Sequence, residues 1–126
     1  MSTPPANEPT GYLLCDDLMW MSRVMGEAKE AGCKIIPART VEKMLQLIQQ
    51  QGPKSVLLDL GQAEIGQEPK TIVEQLREAG VERIIAYGSH VEVDVLQSAR
   101  EAGCHPVLAR SKMAAVLPEL LPSWLS

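Results

Sequence analysis

The sequence predicts an α/β fold of three layers, in which a five-stranded parallel sheet is doubly wound with helices on both faces. Three observations predict it. Short apolar runs alternate with segments whose apolar residues recur at helical spacing, and that β-α alternation calls for parallel strands joined by right-handed crossovers. Near-identical tetrapeptides, Lys29-Glu30-Ala31-Gly32, Arg77-Glu78-Ala79-Gly80 and Arg100-Glu101-Ala102-Gly103, close helical segments, each with a cation in the last turn and a glycine at the left-handed stop. They are recurrences of a good helix terminator and carry no functional content. Finally, acids close the first and third apolar runs, where a ligand crevice opens at the carboxyl ends of parallel strands.

Residues 1–10 are Pro-rich and polar and cannot bury enough surface to order themselves, so they are expected to be a disordered tail before a domain spanning 11–126. The first strand is expected over 11–16, where Tyr12, Leu13, Leu14 and Cys15 lead to Asp16-Asp17. A helix over 18–31 follows, with Leu18, Met21, Met25 and Ala28 as its inward stripe and Gly32 as its stop. Trp20 lies off that stripe. After a short strand over 34–37, Thr40 is placed to cap a helix whose Val41, Met44, Leu45 and Ile48 face the sheet and which ends at Gly52-Pro53.

The central stretch, 54–61, sets Val56, Leu57, Leu58 and Leu60 between Gly52-Pro53 and Gly61, the pattern of a strand buried on both faces. Asp59 sits inside that run. Burying a lone carboxylate is costly unless something pairs with it, so Asp59 belongs at the strand's carboxyl end, facing the crevice. A polar loop over 62–68 leads to a helix from Pro69, which suits a first helical turn, with Ile72, Val73 and Leu76 inward. The fourth strand is expected over 83–87; Ser89 and Glu92 then have capping-box spacing for a helix that turns Val95, Leu96 and Ala99 inward. The fifth strand, 106–109, precedes a last helix starting near Ser111, with Met113, Val116, Leu117 and Leu120 apolar and an irregular closing turn at Pro118.

Composition excludes several function classes. The chain has 126 residues, 45% hydrophobic and 22% charged, which suits one ordinary globular domain. A net charge of −4 without a basic cluster argues against binding nucleic acid or an anionic membrane surface. No segment approaches the roughly 20 apolar residues of a membrane span and no signal peptide is evident, so the expected compartment is cytoplasmic. Cys15, Cys33 and Cys104 lack metal-ligand spacing and read as reduced core thiols. His90 and His105 read as solvated turn or helix-start residues. Trp20 and Trp124, the latter with Leu121 and Leu125, mark either a contact surface or a tail packed onto the domain.

Acids ending strands one and three fall at the switch point of a flavodoxin-like sheet of order 2-1-3-4-5. Asp16-Asp17 after the first strand, Asp59 ending the third and Gly103 ahead of the fifth then resemble the receiver domain of bacterial two-component response regulators, the CheY-like fold. The resemblance covers nearly the whole chain after residue 10. It implies that Asp59 accepts a phosphoryl group from a sensor histidine kinase, and that Asp17, with Asp16, Asp59 and the main-chain carbonyl of Gly61, holds a Mg²⁺. The chemistry needs those types: charge develops on oxygens that a hard cation can bridge, and close carboxylates without a cation repel one another. The acids could instead serve as helix caps.

The departures from the family's pattern are as informative. Where the family ends strand four with a hydroxyl residue stands Gly88, with Ser89 one place later as a possible donor. The aromatic residue of strand five is replaced by Val107, the lysine by Arg110 and the following proline by Ser111. A cis bond before Ser111 would cost about 2.5–4 kcal/mol, so a trans bond is expected. Arg110 can grip a carboxylate at two points and so could pair with Asp59 directly.

Two readings follow from the resemblance, and both are of a non-enzymatic signalling module: a stand-alone phosphorylated receiver, or a pseudo-receiver acting only through protein contacts. Either implies a protein partner, a kinase or a downstream effector, and allows a homodimer. The family often meets partners through the fourth helix, fifth strand and fifth helix. A flavin- or dinucleotide-binding protein could share the fold, but Asp16-Asp17-Leu18 offers no glycine-rich phosphate loop. A metal-dependent phosphohydrolase would need a lid that this length does not accommodate.

Overall fold

In a computed structural model, which describes residues 8–61 and 68–125, the elements alternate as β1 (Thr10–Leu14), α1 (Leu18–Glu30), β2 (Lys34–Ala38), α2 (Val41–Gln51), β3 (Val56–Asp59), α3 (Pro69–Glu78), β4 (Ile84–Gly88), α4 (Val93–Glu101), β5 (Val107–Ala109) and α5 (Arg110–Leu125). The strands form one sheet of order β2-β1-β3-β4-β5, with every neighbouring pair parallel. This is the expected doubly wound order.

Parity then decides which side chain meets which layer. Tyr12, Leu14, Val56, Leu58, Ile84 and Ala86 point to one face and pack with Met44 of α2, Leu76 of α3 and Leu96 of α4. Leu13, Cys15, Leu57, Ile85 and Tyr87 point to the other and meet Val24 and Ala28 of α1 and Met113, Leu117 and Leu121 of α5. All four residues of β3 are buried; at about 1.5–3 kcal/mol for each fully buried aliphatic side chain, this strand anchors both cores.

The tetrapeptide terminators fold alike. Gly32, Gly80 and Gly103 have φ of +76°, +99° and +102°, and the next residue reaches back in each case: Cys33 N–H donates to the Ala28 carbonyl at 2.8 Å, Val81 N–H to Leu76 at 3.0 Å and Cys104 N–H to Ala99 at 3.1 Å. These are Schellman closures in which the same residue pairs are also buried in the cores. Thr40 caps α2 as expected, accepting from Lys43 N–H at 3.1 Å.

Several expectations change. Thr10, assigned to the tail, begins β1, where Lys34 N–H donates to Pro9; residues 1–7 and the loop residues 62–67 lie outside the described residues. The inward face of α1 is Trp20, Met21, Val24 and Ala28, whereas Leu18 and Met25 are exposed. Met21 and Ala28 face inward as expected, while Trp20 and Val24 take the places expected of Leu18 and Met25, Trp20 lying against Arg110 at the start of α5 and against Tyr87. Ser89 and Glu92 form no capping box: Glu92 is itself the N-cap of α4, without a side-chain bond, and its N–H donates to the Ser89 carbonyl within a tight turn. His90 precedes α4 in that turn and, like His105, is exposed.

Helix α5 runs on through Pro118 and Pro122 to Leu125, with Trp124 and Leu125 buried, so the chain's end packs onto the domain. Its last carbonyls are not orphaned, because the Arg83 guanidinium donates to Ser123 O at 2.7 Å and Trp124 O at 2.9 Å. Among the described residues the cis bond is His105-Pro106, so Arg110-Ser111 is trans as expected. The cysteines are free and buried.

Candidate functional site at the carboxyl ends of the strands

Strand parity places Cys15 after β1, Asp59 ending β3 and Tyr87 in β4 on the sheet face covered by α1 and α5. Asp59 pairs in register with Tyr87 and is only 2% exposed, so its carboxylate must find donors inside the protein. Arg110, the first residue of α5, supplies the main one: its Nη2 donates to Asp59 Oδ1 at 3.0 Å and Oδ2 at 2.9 Å. Gly61 N–H donates to Oδ1 at 2.8 Å, and the Cys15 thiol donates to Oδ2 at 3.4 Å. A buried acid is thus neutralised by one charge-assisted contact and solvated by two neutral donors.

The guanidinium rests on aromatic rings. Its carbon lies 5.2 Å from the Trp20 ring centroid and 5.6 Å from that of Tyr87. The rings are 5.4 Å apart at 44°, and Trp20 Nε1–H donates to the Tyr87 hydroxyl at 2.6 Å. The start of α1 positions Trp20: Asp17 is the N-cap, its Oδ1 accepting from Met19 N–H and Trp20 N–H, both at 3.1 Å. Its other oxygen, Oδ2, lies 3.7 Å from Arg110 Nη1. One arginine therefore spans two acids from two strand ends.

Burial sets the protonation of the surrounding groups. It pushes the Cys15 thiol up to about 11, with the Asp59 charge adding to the effect against a hydrogen bond to the Asp17 backbone. It also lifts the Tyr87 phenol well above its usual range, reinforced by the charge of Asp59. Both groups stay protonated and neutral near neutral pH.

Of the residues singled out in the sequence, Asp59, Arg110 and Asp17 come together. Gly61 joins them through its N–H, and a Cβ at this glycine would sit 3.2 Å from Asp59 Oδ1 and 3.4 Å from Arg110 Nη2. Asp16 is half-buried in the β1–α1 connection. Ser89 is exposed, and its hydroxyl accepts from Val91 N–H at 3.4 Å within its own turn. A Cβ at Gly88 would meet Leu60 Cβ at 3.2 Å and Leu96 Cδ2 at 3.6 Å on the α2–α4 face, so position 88 is filled by aliphatic neighbours.

The acids as arranged do not fit Mg²⁺. That ion wants a near-octahedral set of oxygens, yet among the described residues no group of three or more His, Cys, Asp and Glu converges as a metal site. Both Asp59 oxygens face Arg110, Asp17 spends Oδ1 on the helix cap, and a cation already lies between the two carboxylates.

Cys15, Trp20 and Tyr87 are the members that sequence reading missed. A signal existed for Cys15 and Tyr87: they occupy strand ends beside that of Asp59, with side chains on the same face. For Trp20 the signal was its place three residues after an N-capping aspartate, which turns a side chain back over the strand end.

No family model matches the chain, and no curated protein matches it. Solved structures do. A response regulator from Thermotoga maritima superposes with a TM-score of 0.76 at 15% identity, over 93% of this chain and 97% of that one. The NtrC4 receiver domain, solved as a beryllofluoride-activated dimer, gives 0.73 at 15% identity over 94% and 99%. The receiver domain of the Francisella response regulator 1452 gives 0.68 at 13% identity over 90% and 98%. At such identities the likeness establishes the fold, which is the CheY-like receiver fold from β1 to α5.

Proposed function

We propose that this chain is a receiver-like signalling module of the pseudo-receiver kind, working through protein contacts with its acid pocket closed. The observation that carries the reading is the pairing of Arg110 Nη2 with both oxygens of Asp59. A carboxylate that attacks a phosphoryl group must present a free oxygen in line with the leaving group; here Oδ1 faces Arg110 and Gly61, and Oδ2 faces Arg110 and Cys15. The missing hydroxyl at Gly88 and the exposed, locally bonded Ser89 point the same way.

In this reading the partner is a protein, an effector or a second copy of the chain, and the module is not a catalyst. Among the described residues no helix is long and apolar enough to cross a membrane. The phosphoacceptor alternative, with Asp59 modified by a histidine kinase, is what the test separates. Incubation with acetyl phosphate and Mg²⁺, followed by intact mass spectrometry, should leave the wild-type chain unmodified. Near-stoichiometric addition at Asp59 would overturn the closed-pocket reading in favour of a working receiver.

A further inference from the structure

We infer that Trp20 and Tyr87 form an aromatic seat that makes Arg110 the resident cation of this pocket, so that Arg110 and a divalent metal ion compete for the same two carboxylates. The inference rests on the closed-pocket reading and adds its cause. Pairing with the buried Asp59 engages Nη2, but the Arg110 side chain is 36% exposed, and a long side chain gives up rotamer freedom to keep the rest of its guanidinium in one geometry. The rings supply the rest. A planar guanidinium stacks on aromatic faces and is less strongly hydrated than an ammonium, so it is the cation that such a surface favours.

The two rings are tied to each other. Trp20 Nε1–H donates to the Tyr87 hydroxyl, which holds the rings 5.4 Å apart at 44°. Arg23 lies 5.6 Å from the same indole centroid and is paired with Glu27, which further confines the ring. Asp17, tied to the first turn of α1 through Oδ1, cannot turn away from Arg110 without uncapping that helix. Every element of the arrangement therefore holds the guanidinium between Asp17 and Asp59, where a metal ion would need their oxygens.

The test is a Mn²⁺ titration in which free ion is followed by electron paramagnetic resonance, on the wild type and on Arg110→Ala, Arg110→Lys and Trp20→Leu. Wild type should show no binding at millimolar Mn²⁺, and Arg110→Ala should bind at least roughly tenfold more tightly, because two carboxylates are left without a cation. Arg110→Lys, which keeps the charge and loses the stacking plane, should also bind more tightly than wild type, as should Trp20→Leu. Equal affinity of wild type and Arg110→Ala would overturn the inference. Exclusion by Arg110→Lys as complete as by wild type would show that charge alone suffices and overturn the seat. The lysine variant leaves the core untouched, so the seat stays testable if Trp20→Leu fails to fold. A wild type that resists acetyl phosphate while Arg110→Lys still excludes Mn²⁺ would leave the closed pocket standing and remove only the seat.

Discussion

Asp59 and Cys15 are both buried where they meet, and the carboxylate bears on the charge that the thiol can carry. Burial raises the Cys15 thiol to about 11, and repulsion from the Asp59 carboxylate 3.4 Å away acts in the same direction; burial likewise raises Cys104 to about 11, opposed by Arg77. The folded pKa of each lies above the ordinary thiol value of 9.0, so the folded state binds these protons more tightly than the unfolded chain. Their contribution to stability is therefore complete below about pH 9 and is lost as pH climbs towards about 11. Urea midpoints should fall across that window, and the fall should be shallower in Cys15→Ala; a midpoint flat across the window would refute the assignment. At this scale the sequence was legible wherever residue type alone carried the chemistry: Asp59 had to be paired because it sits in an apolar run, and Arg110 was an evident partner. Trp20 was only half legible: its spacing from the capping Asp17 aims it over the strand end, but helix periodicity alone picked Leu18 and Met25 as inward where the fold buries Trp20 and Val24.

Among the elements, α5 departs furthest from what local rules dictate. Each interior proline costs about 3 kcal/mol in a helix, which is why an irregular turn at Pro118 was expected. The helix persists because Met113, Leu117, Leu121, Trp124 and Leu125 are buried along one side of it, and several such side chains at about 1.5–3 kcal/mol each outweigh that cost. Pro118 lies on the exposed side, where the freed carbonyl of the preceding turn can meet water. The end of the helix depends on a residue outside it, since Arg83 donates to the carbonyls of Ser123 and Trp124 and places a cation at the negative end of the helix dipole. Arg83→Ala should lower stability by about 1 kcal/mol. It should also speed amide exchange in residues 119–125 more than in β3; uniform exchange across the chain would show that Arg83 does not cap α5. By contrast the ends of α1, α3 and α4 were readable in advance, because a Schellman closure is local and its glycine, cation and following apolar residue are contiguous in sequence.

For the whole molecule, the order β2-β1-β3-β4-β5 follows from the β-α alternation and from acids at two strand ends, and it brings β1, β3 and β4 together at the pocket. A pocket can switch a distant surface only if its two states make different contacts along the way. The route from Asp59 to α4 and β5 would pass Gly88 and Val107. Gly88 has no hydroxyl to be drawn inwards, and the space beside it is taken by Leu60 and Leu96. Val107 is buried in the α2–α4 core and has no ring to rotate. A ligand that did enter the pocket would meet Arg110, whose response is confined to the Trp20–Tyr87 surface on the opposite side of the sheet. Amide NMR spectra recorded with and without beryllofluoride and Mg²⁺ should therefore differ little over residues 89–109. Any changes should cluster around Asp17, Trp20, Asp59 and Arg110. Large shifts in α4 and β5 would reveal a relay from pocket to surface and return the chain to the phosphorylation-switched receivers, whereas a silent α4 and β5 leave a module whose binding face is set by folding alone.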